Sequence, residues 1–359
     1  MSFSPALQLS GSAAPLRVET ALLVHVDLGE WMQTPPDPDE LETLARSAGV
    51  TVLGLERFSR PQPDPRYFIG AGKVETLQAR LAEQPEAVVL FNHELSPSQG
   101  RNLEKALARR VLSRTELILD IFAQRARTFE GKLQVELAQL KHQASRLVRG
   151  WTHLERQRGG IGLRGPGETQ LETDRRLIMR RIQQLQGKLR IVRAQRQQNR
   201  RQRRKQAIPT VAVVGYTNAG KSTLFNHLTT AETYVADQLF ATLDPATRWL
   251  QLPPVGAVAL TDTVGFIRAL PHDLVAAFRA TLEETQEAHL LIHVVDAASE
   301  QRDAMQTAVQ EVLAELGAAQ TPQLRVYNKI DQLGLPARIE RDAEGLPSAV
   351  WLSAQTGAG

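Results

Sequence analysis

Gly215-Tyr216-Thr217-Asn218-Ala219-Gly220-Lys221-Ser222 sets two glycines five apart and follows them with a lysine and a hydroxyl. Residue types in that order suit phosphate chemistry. The glycines let backbone N–H groups wrap phosphate oxygens, and a helix N-terminus behind them adds positive potential. Lys221 has the reach for β- and γ-phosphates, Ser222 has a hydroxyl for Mg²⁺, and Thr223 opens the helix that follows. The flanks fit this layout, because Thr210–Val214 reads as a buried strand and Thr223–Leu228 as the start of a helix.

Further motifs follow in the order expected of a GTPase. Asp262-Thr263-Val264-Gly265 comes after the apolar run Ala257–Leu260. Asp262 is placed to hold Mg²⁺ through water, and the Gly265 amide to meet the γ-phosphate. Asn328-Lys329-Ile330-Asp331 comes after Gln323–Tyr327. A carboxylate at Asp331 can pair with the N1–H and exocyclic amine of guanine, which adenine cannot match. Ser353-Ala354 follows the strand Ala349–Leu352 and suits the loop behind the base. Thr242, in Phe240-Ala241-Thr242-Leu243-Asp244-Pro245, is the choice for the switch threonine on Mg²⁺, with Thr233 and Thr247 as rivals. Lys221, Thr242 and Gly265 are thus the residues expected to act on the reacting phosphate. Phe266 follows that glycine, and phenylalanine cannot orient a water. Asn218 is a candidate K⁺ ligand by resemblance: in some GTPases similar to this chain an asparagine in the phosphate loop helps bind K⁺, whose charge can replace an arginine finger.

Three units are expected to carry these residues. Residues 1–128 alternate strands (Ala21–Asp27, Val50–Glu56, Ala87–Phe91, Arg110–Leu112) with helices (Asp39–Ser47, Lys73–Ala82, Ser96–Arg109, Glu116–Ala126), which predicts a small α/β domain with a mostly parallel sheet. Within it Gly70-Ala71-Gly72-Lys73 could bind an anion, and His93-Glu94 reads as a surface pair at a strand end. Residues 129–206 carry heptad seams: Leu133, Leu137, Leu140, Ala144, Leu147, Trp151 and Leu154, then Leu171, Ile178, Ile182, Leu185, Leu189 and Val192. A break of five glycines and a proline separates the seams. That predicts an antiparallel helical hairpin, each arm about 40 to 50 Å long, with a glycine-rich tip over 157–169. Residues 207–359 are expected to form the P-loop α/β domain.

Charge is uneven. The 359 residues carry a net +4, yet 13 Lys or Arg and no acid fall between Arg175 and Lys205, leaving the rest of the chain acidic. Such a segment points to nucleic acid, with Arg158, Arg164, Arg175, Arg176, Arg180 and Arg181 as RNA-contact candidates. There are no cysteines, so disulfides, thiolate metal sites and a cysteine nucleophile are excluded. No apolar run approaches membrane-spanning length, and no signal peptide is evident. The expectation is a cytoplasmic monomer.

The chain also resembles the HflX family, ribosome-associated GTPases of the Obg–HflX group. The resemblance covers nearly the whole chain. It is most specific in Gln134-Val135-Glu136-Leu137-Ala138-Gln139-Leu140 and from Gly159-Gly160-Ile161-Gly162 through Gly165-Pro166-Gly167-Glu168-Thr169-Gln170-Leu171-Glu172-Thr173-Asp174-Arg175-Arg176. It implies GTP-site roles for Lys221, Ser222, Thr242, Asp262, Asn328 and Asp331. It further implies binding to the large ribosomal subunit, and splitting or rescue of stalled ribosomes under stress. The last helix of a GTPase domain and the family's small C-terminal domain are expected to be absent after Gly359. Two other readings stay open: a GTP-regulated RNA-binding module, and an ATP-driven RNA remodeller using the N-terminal region.

Overall fold

In the computed structural model, the described residues are 19–31, 35–149, 166–205, 208–229, 239–240, 242–244, 246–253, 255–268 and 284–359. The sequence readings at Arg158, Arg164, Trp151, Leu154 and Thr233 lie outside them, and the side chains of Leu147 and Leu171 are likewise not described.

The first unit is β1 (Thr20–Asp27), α1 (Pro38–Ser47), β2 (Thr51–Ser59), α2 (Ala71–Leu81), β3 (Val88–Phe91), α3 (Pro97–Leu107), β4 (Val111–Ser113) and α4 (Arg114–Arg125). Its sheet runs β2-β1-β3-β4 with every pairing parallel. Near-continuous apolar strands such as TALLVHVD suit a sheet covered on both faces. Serines start two of the helices. Ser96 with Gln99, and Ser113 with Glu116, form reciprocal capping boxes that satisfy otherwise orphaned N–H groups. His93 is buried, not at the surface as the sequence suggests. Its Nε2 accepts the Val26 N–H at 3.0 Å, so the imidazole completes a backbone ladder that no local pattern announces.

The second unit is α5 (Phe129–Arg149) and α6 (Pro166–Lys205). Leu133, Leu137, Leu140 and Ala144 pack against Ile178, Ile182, Leu185 and Leu189, the knob-and-hole seam that heptads specify. The predicted length of the second arm needs correcting. α6 has 40 residues, so it runs about 60 Å. It begins at Pro166, inside the stretch read as tip, because proline is tolerated at a first helical position, where its missing N–H is no loss.

The third unit is β5 (Thr210–Gly215), α7 (Lys221–Thr229), β6 (Ala246–Leu252), β7 (Gly256–Asp262), β8 (Leu290–Asp296), α8 (Arg302–Glu315), β9 (Gln323–Asn328), β10 (Arg338–Arg341) and β11 (Pro347–Trp351). The sheet order is β10-β11-β9-β8-β5-β7-β6. Its five central strands are parallel, and β6 and β10 close the edges antiparallel. The units share a core. Leu41, Leu44, Ile118 and Phe122 of the first sit in one buried cluster with Tyr216, Leu239, Phe240, Leu243 and Phe266 of the third. Among the described residues no helix is long and apolar enough to cross a membrane.

Candidate nucleotide-binding site

The loop between β5 and α7 is held by close backbone approaches. Gly215 has φ 149°, and a Cβ there would lie 2.3 Å from the Val294 carbonyl oxygen on β8. The loop also pairs with the segment after β7: the Phe266 N–H donates to Gly215 O, and the Thr217 N–H to Phe266 O at 2.8 Å. At Gly265 a Cβ would meet Thr217 Cγ2 at 2.7 Å and Lys221 Nζ at 3.0 Å, so this position has no room for a side chain. Phe266 itself is fully buried in the shared core.

Lys221, the first residue of α7, is 5 % exposed and donates to the Tyr216 carbonyl at 2.6 Å. Burial lowers its pKa to about 8, and the Asp262 carboxylate works against that shift. It therefore remains cationic at neutral pH. Next to it, Ser222 Oγ lies 2.7 Å from Thr242 Oγ1 and donates to Asp262 Oδ2 at 2.7 Å. Asp262 is completely buried. Its other oxygen, Oδ1, has no partner, and burial raises the carboxyl's pKa. Two hydroxyls and an orphaned carboxylate oxygen form a hard oxygen donor set, which fits Mg²⁺ that takes its remaining ligands from phosphate and water. Among the described residues no group of three His, Cys, Asp or Glu could hold a metal, so a metal here would depend on those hydroxyls. Thr247 is elsewhere, bonded across β6 and β7 to Thr261 at 2.9 Å.

At the far end of the loop, Asn328 joins two segments. Its Nδ2 donates to Ala219 O at 2.9 Å, and its Oδ1 accepts the Ala354 N–H at 2.8 Å. Gly220 leaves space for it, since a Cβ there would fall 2.1 Å from Asn328 Nδ2. Lys329 is anchored to Asp296 at 2.7 Å. Asp331 sits exposed on the 3-10 turn Ile330–Leu333, and Ser353 and Ala354 are buried next to Asn328. Ser222 and Thr223 are half-buried on α7. Asn218 has φ 60° and lines a cavity of about 360 Å³ together with Asp37, Asp39, Glu40, Asp296 and Glu300.

Sequence reasoning missed the residues that clamp this loop from the first unit. Tyr216 donates its hydroxyl to Glu40 Oε1 on α1, and that hydroxyl accepts the Arg268 N–H at 2.7 Å. Arg114 on α4 binds Glu40 Oε2 at 2.6 Å, Asn92 Oδ1 at 2.9 Å and the Arg268 carbonyl at 3.1 Å. Both charged partners are nearly enclosed. A tyrosine inside the phosphate loop was the one available signal, because an apolar ring there must pack on something outside the loop. Of the RNA-contact candidates, Arg175, Arg176, Arg180 and Arg181 are exposed on α6. Arg181 is paired with Glu136 at 2.7 Å.

Models of known families match in three consecutive stretches. They are "GTP-binding GTPase N-terminal" over 37–123, "GTP-binding GTPase Middle Region" over 125–203 and "50S ribosome-binding GTPase" over 210–329. GTPase HflX of Escherichia coli (strain K12) is 58 % identical over 342 residues, which is 95 % of this chain and 80 % of that one. GTPase HflX of Magnetococcus marinus is 52 % identical over 323 residues, 89 % of this chain and 74 % of its own. Among solved structures, SsGBP in complex with GDP superposes with a TM-score of 0.51 at 23 % identity, covering 94 % of each chain, a likeness of fold. With relatives this similar along nearly its whole length, the chain belongs to the HflX family of GTPases.

Proposed function

We propose that the chain hydrolyses GTP with Mg²⁺ as its cofactor, and that this cycle governs docking of the basic arm on the large ribosomal subunit, where it splits or rescues stalled ribosomes. The observation that carries the catalytic part is the convergence of Ser222, Thr242 and Asp262, with Asp262 Oδ1 left without a partner. Ser222 and Thr242 would hold the metal directly and Asp262 through water. The metal, when bound, supplies charge neutralisation of the β- and γ-phosphates. Lys221 contributes a cation to the same oxygens. The loop amides from Tyr216 to Thr223 cradle the phosphates, and the Gly265 amide faces the transferred group. Asp331 selects guanine, Asn328 and Lys329 fix the base-binding segment to the loop, and Ser353-Ala354 backs the ring.

No side chain in the position after Gly265 can orient water, since Phe266 is turned into the core. The accelerating group must come from elsewhere. Asn218 beside a carboxylate-lined cavity favours a monovalent cation, K⁺, in that role. The ribosomal part rests on the one-signed charge of α6, with Arg175, Arg176 and Arg180 exposed, and on the family's relatives.

The test is GTP hydrolysis with and without large ribosomal subunits, in K⁺ and in Na⁺ buffer. Stimulation by subunits and by K⁺ is expected. Equal rates in the two salts would remove the K⁺ assignment. Absence of subunit stimulation, with GTP still bound, would remove the ribosomal one.

A further inference from the structure

Asp244 lies two residues beyond Thr242, yet its carboxylate faces away from the phosphate loop. Oδ2 accepts the N–H groups of Arg127 and Thr128, each at 2.9 Å. Oδ1 accepts the Thr128 hydroxyl, and that hydroxyl in turn accepts the Gly131 N–H at 2.9 Å. Thr128 is therefore the side-chain cap of α5, and Asp244 is an anion set against the first turn of that helix, where the orphaned amides and the positive end of the helix dipole lie. The fit is close: a Cβ on Gly131 would stand 2.1 Å from Asp244 Oδ1, so the glycine makes the approach possible.

Other described residues of the same segment are fixed to the same body. The Leu239 N–H donates to Ser47 Oγ at 3.1 Å, and Phe240 meets Phe122 edge-on with ring centroids 4.7 Å apart. Thr242 turns the other way, with its hydroxyl on Ser222. At the foot of α5, Glu130 is bonded to Gln134 and ion-paired with Arg196 of α6 at 2.8 Å, so both helices of the arm share one root.

We propose that Asp244 is a positioning residue that makes the Thr242 segment and the root of the arm a single moving part. The phosphate-site state that sets the place of Thr242 then also sets the seat of α5, and the arm is held differently in the two nucleotide states. This rests on the reading of Thr242 as the Mg²⁺ threonine. Asp244 does not touch nucleotide or metal; its oxygens are occupied by the helix cap.

The experiment is hydrogen exchange on the full chain, followed at the amides of Arg127, Thr128 and Gly131, with GDP and with a non-hydrolysable GTP analogue. The expected result is at least about ten-fold slower exchange with the analogue, the change given by roughly one retained charge-assisted hydrogen bond. In Asp244→Ala that difference should vanish while GDP affinity stays within about three-fold, because the loop contacts are untouched. Asp244→Asn keeps one acceptor oxygen and should restore part of the difference. Should the alanine variant not fold, Thr128→Val removes one partner of the carboxylate and should shrink the difference. Equal exchange in the two states, or a difference that survives in Asp244→Ala, overturns the proposal. The Mg²⁺ dependence of analogue binding to Thr242→Ala separates it from the reading beneath it. Unchanged dependence defeats the threonine assignment. A weakened dependence together with state-independent exchange defeats the Asp244 role alone.

Discussion

Replacing Tyr216 with phenylalanine deletes one oxygen from a buried polar cluster and nothing else. In the wild-type chain that oxygen donates to Glu40 and accepts the Arg268 N–H at 2.7 Å. Burial, reinforced by the neighbouring Glu40 charge, pushes the phenol's pKa up, so it stays a neutral donor at any pH the fold survives. Without it, Glu40 keeps Arg114 at 2.6 Å but loses its second partner, and the Arg268 amide has none on that side. A buried group left unsatisfied costs about 1–3 kcal/mol, and a hydrogen bond to a charged group contributes about 1.5–3 kcal/mol. With some relaxation, a loss of about 2–4 kcal/mol is expected, which is roughly a 3–5 °C drop in Tm for a chain of 359 residues. The loop's backbone is untouched, since Lys221 binds the Tyr216 carbonyl and the Thr217 amide binds Phe266 O. GDP affinity should then change by less than about ten-fold, or 1.4 kcal/mol. The assay is thermal unfolding in a double-mutant cycle with Glu40→Gln, with GDP titrated in parallel. A coupling energy below about 0.3 kcal/mol, within the scatter of independent sites, together with an unchanged Tm, would refute the claim that these residues hold the first unit on the phosphate loop.

Asn328→Ala removes both the bond to Ala219 O and the bond from Ala354 N, and should weaken guanine-nucleotide binding about 100-fold, from two bonds of about 1.5 kcal/mol each, read by fluorescent-GDP titration. Gly265→Ala drives a methyl into Thr217 and Lys221. It should lower kcat for GTP hydrolysis by at least about ten-fold while GDP binding holds, because Gly265 is proposed to face the γ-phosphate, which GDP lacks. Arg114→Leu strands Glu40 as an uncompensated buried charge and should cost about 3–5 kcal/mol in chemical denaturation, more than Tyr216→Phe. Burial lowers the pKa of both His93 and His293 to about 4, so each is neutral in the folded chain at pH 5 but largely protonated when unfolded. Their stabilisation is complete above pH 6.5 and falls as the pH drops toward 4, by about 2 kcal/mol per histidine at pH 5. Tm measured from pH 7.5 to 5 should fall, and the fall should be smaller in His93→Gln.

What the sequence made legible was local. The phosphate loop announces itself because its chemistry is built from consecutive residues between a strand and a helix. The Leu133–Ala144 and Ile178–Leu189 seams announce themselves because a helical period repeats. β6 was not predicted, and its residues explain why. It is an edge strand exposed on both faces, with Trp249 and Leu252 outward, so it lacks the alternation that marks a half-buried strand. β10 is three charged residues and one isoleucine, the composition of a protected edge. The start of α6 was misplaced because proline and glycine were read as breakers wherever they fell, although a first helical position accepts proline. The place of His93 is not legible locally, because its bond to Val26 joins the turn after β3 to a strand 67 residues away.

The larger omission was the joint between units, and it changes what the arm can be. Read as a sequence, residues 129–206 are a basic helical hairpin, and nothing in them points to the phosphate loop. In the structure, Glu40 reaches a tyrosine 176 positions away, and Asp244 caps a helix 116 positions away. Asp244 belongs to the segment bearing Thr242, and the Tyr216 hydroxyl that meets Glu40 also holds Arg268 in the segment after Gly265; these are the two segments proposed to move with GTP hydrolysis. A change at the phosphate site cannot then be absorbed within the nucleotide domain. Thr242 cannot move without straining the Phe240–Phe122 contact or the Asp244 cap, and Arg268 cannot move without disturbing the bond it shares with Tyr216 and the one its carbonyl makes with Arg114. Because close-packed interfaces shift between discrete arrangements more readily than they deform, the consequence is a switch read out by the first unit and the arm root together. The polar Glu40–Arg114–Tyr216 cluster supports the same conclusion. An apolar patch of equal size would hold the units together as well or better, whereas a directional cluster of charges and hydrogen bonds holds them in one register.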